Sequence, residues 1–202
     1  MKHPIEYFSG DRRPAAVSAL TDYRKKTGFH FDRFTSETDP DSITAEDIVA
    51  VSMLSVDVPA RASIWLLTDG ADRVSQLLTQ IDRGATIWDD DVEITKGSPA
   101  WDLWNEVEDL PGMGPTKTSK VLAAKRPHLV PILDDVVRES LFGSRRRREV
   151  EREYWNLWRH ELQGDEGVGL RHAVESVRSD ADYDSSISVL RVIDIVVWNL
   201  DR

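Results

Sequence analysis

Between Glu106 and Asp135 the chain reads EVEDLPGMGPTKTSKVLAAKRPHLVPILDD, and this stretch restricts the fold more tightly than any other. Pro111 has no N–H and its ring crowds the preceding turn, so a helix arriving at Leu110 stops there. Gly112 and Gly114 admit positive φ in a tight connection, and Pro115 suits the first turn of a following helix. The pattern predicts two helices joined by a hairpin turn, Leu110-Pro111-Gly112-Met113-Gly114. Such a turn leaves N–H groups without helical partners at the positive end of the second helix dipole, an arrangement that favours an anion. Asp134 follows Gly114 by twenty residues, in the apolar-flanked run Pro131-Ile132-Leu133-Asp134. An anion cradle and one carboxylate at a fixed separation are the chemistry this stretch offers.

Charge sharpens that reading. The 202-residue chain has a net charge of −10, which opposes non-specific nucleic-acid binding by the surface as a whole. From Gly112 to Arg148, however, nine basic residues (Lys117, Lys120, Lys125, Arg126, Arg138 and Arg145 to Arg148) stand against three acidic ones. The segment carries +6 and the remainder −16. A basic island in an acidic chain points to a local polyanion site; a solvated helix face with an exposed arginine loop is the competing explanation. With no cysteine in the chain, disulfides, thiolate zinc sites, iron–sulfur clusters and cysteine nucleophiles are excluded. The five histidines form no ligand spacing, so no metal and no cofactor is expected. The N-terminal residues lack the apolar run of a signal peptide and no run approaches bilayer-spanning length, so the expected location is the cytoplasm.

The rest of the sequence reads as short helices, eight to ten of them, with no sustained strand alternation. Residues 1 to 13 read as irregular, with Tyr7 and Phe8 available to dock on a core. Helices are expected over Pro14 to Lys26, Ala45 to Val56, Ala60 to Leu67, Ala71 to Ile81, from Ser98-Pro99 through Val107, and over Thr116 to Lys125. Further helices are expected over Asp134 to Leu141, Arg145 to Gln163, Val168 to Val177 and Asp184 to Asn199. Gly28 to Ser42, with Phe29, Phe31 and Phe34, reads as a loop or a short extended segment, and Gly84 to Gly97 as an acidic loop. Thr44 followed by Asp47 has the form of a capping box. The helix after it is apolar all round, which predicts a central position.

The Glu106–Asp135 stretch resembles the helix-hairpin-helix of the base-excision DNA glycosylase superfamily that includes endonuclease III and the adenine mismatch glycosylase MutY. Leu110 to Gly114 resembles the family's hairpin, and Pro131 to Asp134 the run that carries its catalytic aspartate at the same separation. Ile48 to Ser55 resembles the helix that ends at its lesion-side loop. The resemblance covers roughly Ile43 to Phe142. It implies an all-α fold of two helical lobes with a cleft between them: residues 43–142 as a glycosylase-like core containing the helix-hairpin-helix (101–125), residues 1–42 packing with the C-terminal lobe, and residues 143–202 forming that lobe.

The resemblance further implies a DNA glycosylase acting on duplex with a damaged or modified base. Gly112, Met113, Gly114, Thr116, Lys117 and Lys120 would hold phosphates, the target nucleotide would be flipped out of the duplex, and Asp134 would stabilise charge on the sugar or activate water as the N-glycosidic bond breaks. Thr116 stands where bifunctional members carry the Schiff-base lysine, so a monofunctional hydrolase is implied and no lyase. Where relatives place a glutamine wedge this chain has Asp57, which serves equally as a cap for the helix after Pro59. Asp134 likewise suits a helix N-cap. Two alternatives stand beside the enzyme: a non-catalytic hairpin module that docks DNA, and a protein-interaction scaffold that meets a basic partner through the acidic surface. Arg145 to Arg148 read as a backbone clamp or a solvated helix start, and Trp88 as peripheral packing or a base-stacking platform.

Overall fold

A computed structural model describes residues 2–143 and 147–202, with side chains from all of these except 147–152. The described residues hold twelve α-helices and no strand. The chain divides into two compact units: a central unit, Thr27–Val130, and a terminal unit made of Met1–Lys26 and Pro131–Arg202. The first residues of the chain thus fall in one unit with the last ones, Met1–Lys26 with Pro131–Arg202. Residues 27–42 fall in the central unit and residues 131–142 in the terminal unit.

In the terminal unit, α1 (Ile5–Phe8) and a 3₁₀ turn (Gly10–Arg12) precede α2 (Arg13–Tyr23). The first thirteen residues are thus mostly helical rather than irregular. A single turn has little stability of its own; here Tyr7 and Phe8 are buried and the Tyr7 hydroxyl donates to Asp201, so tertiary docking holds it. The unit's axis is α12 (Val189–Asp201), buried along nine consecutive residues from Val189 to Val197 and packed on α2, on α9 (Asp135–Phe142) and on α11 (Gly164–Asp180). Gly143 ends α9 at φ 62, the left-handed stop its sequence position suggests. Along α10 (Arg147–Leu162), Tyr154 and Trp158 lie edge-on to each other and to Phe142, with ring centroids 5.8–6.2 Å apart. Edge-to-face pairs of this kind add to plain burial. Val150 and Arg145 to Arg148 lie outside the residues whose side chains are described.

The central unit runs α3 (Phe29–Ser36), α4 (Ala45–Ser52), α5 (Ala60–Leu67), α6 (Ala71–Thr79), α7 (Pro99–Glu108) and α8 (Pro115–Ala123). Two expectations change. Phe29 to Ser36 is a helix, not a loop, because packing on α4 buries Phe31, a contact that local spacing does not reveal. In addition, α4 is buried on one face only, through Asp47, Ala50 and Val51, while Val49 is 53% exposed. The capping box at Thr44 and Asp47 is formed in both directions, and Ser98 accepts from Trp101 N–H at the start of α7. Residues 80–98 form no helix, yet Ile87 and Ile94 are buried, and the Ile87 N–H donates to the His128 carbonyl at 3.1 Å. Trp88 is partly exposed there. None of the described helices is long and apolar enough to cross a membrane.

Candidate nucleic-acid interface

The hairpin forms where the sequence places it, between α7 and α8 of the central unit. Asp109 N–H donates to Asn105 at 3.0 Å and Met113 N–H to Leu110 at 3.0 Å, closing α7 and turning the chain. Gly112 adopts φ 80, and a Cβ built on it would lie 3.0 Å from Cγ of Pro59. The left-handed backbone favours glycine there, and any side chain would press on the Pro59 ring. Gly114 does not share that role. Its φ of 164 is ordinary extended backbone, open to any residue, and no atom lies within 4 Å of a Cβ built on it. Thr118 N–H donates to the Gly114 carbonyl at 2.9 Å as the first backbone bond of α8. Among the described residues, no protein acceptor is found for the N–H groups of Gly112, Gly114, Thr116 or Lys117, and no side chain caps α8. Lys117 donates from Nζ to the Gly112 carbonyl at 2.9 Å, placing a half-exposed ammonium beside these amides.

Lys120 faces the other way. It is 4% exposed and donates from Nζ to the Leu54 carbonyl at 2.9 Å, which removes it from the set of phosphate contacts. The reason is helical phase: three positions on from Lys117, the side chain meets the end of α4, on which α8 packs. Lys125 and Arg126 are buried as well. Lys125 pairs with Asp47 and donates to Thr38 Oγ1 at 2.8 Å and the Asp39 carbonyl at 2.9 Å. Arg126 donates to Asp41 Oδ1 at 2.8 Å and to the carbonyls of Pro40, Ile81 and Leu78. Burial holds the Lys125 ammonium below the usual lysine range, against the opposing bond and charge of Asp47. In the terminal unit Arg138 is 6% exposed and pairs with Asp135 and Glu139. Four of the nine basic residues are therefore buried, and the side chains of Arg145 to Arg148 are outside the description. Lys117 is the member of the basic run that reaches solvent among the described residues.

Asp134 belongs to the terminal unit, not to the unit that carries the hairpin. It is the N-cap of α9, with Oδ1 accepting from Val136 N–H at 2.9 Å, and it is half-buried. Leu133 before it is fully buried, and the Ile132 carbonyl accepts from the Tyr154 hydroxyl at 2.8 Å. That hydroxyl is held above the usual tyrosine range, first by burial and then by the charges of Asp194 and Asp134. Asp134 thus follows a buried, hydrogen-bonded strap, and its Oδ1 is engaged in the cap bond. Asp57 is exposed in the loop between α4 and α5; Pro59 occupies the N-cap of α5 with no side-chain bond, so Asp57 does not cap that helix.

Sequence reasoning missed two features of this region. Ser55 adopts a left-handed backbone at φ 61, and Pro59 packs on the hairpin through Gly112. Neither leaves a pattern in a sequence: serine is no signal for positive φ, and the Pro59–Gly112 approach joins residues far apart in the chain. No group of three or more metal-ligating side chains occurs among the described residues.

No curated protein and no solved structure matches the chain. A family model matches residues 3–201. The chain belongs to that family, described as a Family of unknown function (DUF6308).

Proposed function

We propose that the chain binds duplex DNA through the α7–α8 hairpin and hydrolyses an N-glycosidic bond with Asp134, as a monofunctional DNA glycosylase-like protein. One observation carries the reading. The hairpin turns through a glycine that must be left-handed and leaves the Gly112, Gly114, Thr116 and Lys117 amides undonated beside the Lys117 ammonium. Amides at a helix start together with a lysine suit a backbone phosphate. In this reading Met113 lies at the tip against the sugar–phosphate chain, Lys120 supports the hairpin from inside, and Thr116 leaves no amine for a Schiff base. As the resemblance implies, the target nucleotide is flipped out of the duplex, and Asp134 stabilises the charge that develops on the sugar.

A second reading is a hairpin module that docks DNA without base chemistry. It is favoured by the N-cap bond of Asp134, which gives that carboxylate a structural role independent of catalysis. The two separate in one experiment. Base release is assayed on a panel of duplexes with modified or mismatched bases, and DNA affinity is measured beside it. The enzyme reading expects release that Asp134→Asn abolishes while affinity and folding persist. Affinity without release from any duplex, unchanged by Asp134→Asn, replaces it with the docking module. No binding at low salt removes both and leaves a protein-interaction scaffold with an acidic surface.

A further inference from the structure

The Lys120 ammonium is buried in a unit whose surface offers ample water, and burying a charge is costly unless acceptors replace its hydration. The acceptor identified is the carbonyl of Leu54. Leu54 and Ser55 close the last turn of α4, donating to Val51 and Ser52 at 3.0 Å each. The Leu54 carbonyl lies just past the C-cap Met53, beside the negative end of the α4 dipole, where a cation is favoured. After it the chain turns left-handed at Ser55, exposes Asp57, and returns at Pro59 to pack on Gly112 of the hairpin. The loop is therefore fastened to the hairpin region twice: at Leu54 by the ammonium of α8, and at Pro59 by contact with the turn.

Resting on the DNA-binding reading, we infer that Lys120 is a positioning residue: it fixes the Ser55–Val58 loop against the hairpin, so that Asp57 and the amides of Gly112, Gly114, Thr116 and Lys117 meet DNA as one preset surface. The amides donate to a phosphate, and the Asp57 carboxylate, an acceptor only, repels one. Together they define where the backbone sits and where it cannot. Lys120 contributes no phosphate contact of its own.

The test is a mutant cycle read by DNA affinity against salt. Lys117→Ala is expected to lower affinity and to reduce the salt slope by about one, as the loss of a phosphate contact does. Lys120→Met is expected to lower affinity several-fold with the slope unchanged. Asp57→Asn is expected to tighten binding in the parent and to have no effect in Lys120→Met, because the loop is no longer held. Deuterium exchange supplies a readout without DNA: residues 54–58 and 110–117 exchange faster in Lys120→Met while α6 and α7 keep their protection. Equal Asp57→Asn effects in both backgrounds, or a salt slope that falls with Lys120→Met, overturns the inference while the DNA-binding reading stands. If the parent does not bind DNA, that reading fails, and unchanged exchange in Lys120→Met then removes the positioning role too. Should Lys120→Met fail to fold, Pro59→Ala loosens the second attachment and is expected to uncouple Asp57 in the same way.

Discussion

The two units bury charge in opposite ways. In the central unit, cations from one short segment reach across the chain. Lys120 meets Leu54, Lys125 meets Asp47 and the Thr38–Asp39 turn, and Arg126 meets Asp41 and carbonyls as far away as Pro40. In the terminal unit the chief buried pair, Arg191 with Asp194, lies on a single helix, with Tyr23 as a further partner at 2.8 Å. Its segments are joined chiefly by the aliphatic length of α12 and the Phe142–Tyr154–Trp158 cluster, with the bonds of Lys2 and Tyr7 to Asp201 at the end of α12 beside them. The difference teaches that a basic run is not by itself a binding face. From Lys120 to Arg126 it fastens segments from elsewhere in the central unit: the chain after α4 at Leu54, the Thr38–Asp41 turn, and the chain at and just after the end of α6, at Leu78 and Ile81.

The sharpest way to break the comparison is to remove one partner of the longest-reaching pair. The side chains of Lys125 and Asp47 are 0% and 1% exposed, so Lys125→Ala leaves a buried carboxylate uncompensated and is expected to cost about 3–5 kcal/mol in chemical denaturation. The double variant Lys125→Met with Asp47→Leu is expected to recover most of that, short by about 1 kcal/mol for the lost capping box. Hydrogen exchange on the single variant is expected to lose protection in α3, α4 and α8 before α12. Simultaneous loss in both units would show that they do not unfold separately.

Next in size is Asp41, 18% exposed at its side chain. Asp41→Asn is expected to cost about 1.5–3 kcal/mol at neutral pH through the weakened bond to the buried Arg126. Hydrogen bonds from Arg83 and Arg126 hold the Asp41 carboxyl below the usual aspartate range. Asp201 in the terminal unit is also low: burial works to raise it, but bonds from Lys2, Tyr7 and Ser140 prevail. A carboxyl depressed in the folded state contributes stability that is complete above its unfolded value and is lost as pH falls through its folded value. Stability is therefore expected to drop below about pH 4, and the Asp41→Asn curve to fall less steeply there. The smallest effect compares helix caps. Ser98 starts α7 and Ser188 starts α12 with equivalent side-chain bonds of 3.2 and 3.1 Å. Each Ser→Ala change is expected to cost about 1 kcal/mol in thermal or chemical unfolding, and a much larger cost at one of them would mark the unit whose packing depends on its cap.

What the sequence determined is local. The hairpin, the capping box at Thr44 and Asp47, the Ser98 cap before Pro99, the Gly143 stop and the all-helical class all follow from residue types acting within a turn or two of themselves. Bounds for α5 agree to the residue. What only tertiary structure decided depends on partners distant in sequence. α1 exists because Tyr7 docks on Asp201, and α3 because Phe31 is buried where α3 packs on α4. Asp134 was legible as a candidate and as an N-cap, but its unit was not. The sign of each lysine's role was least legible of all. Lys117 and Lys120 are three residues apart on one helix and identical in chemistry, yet one ammonium lies beside open amides and the other is buried on a carbonyl. Which way a helix turns its faces is set by what packs against it, and no count of charges along the chain contains that information.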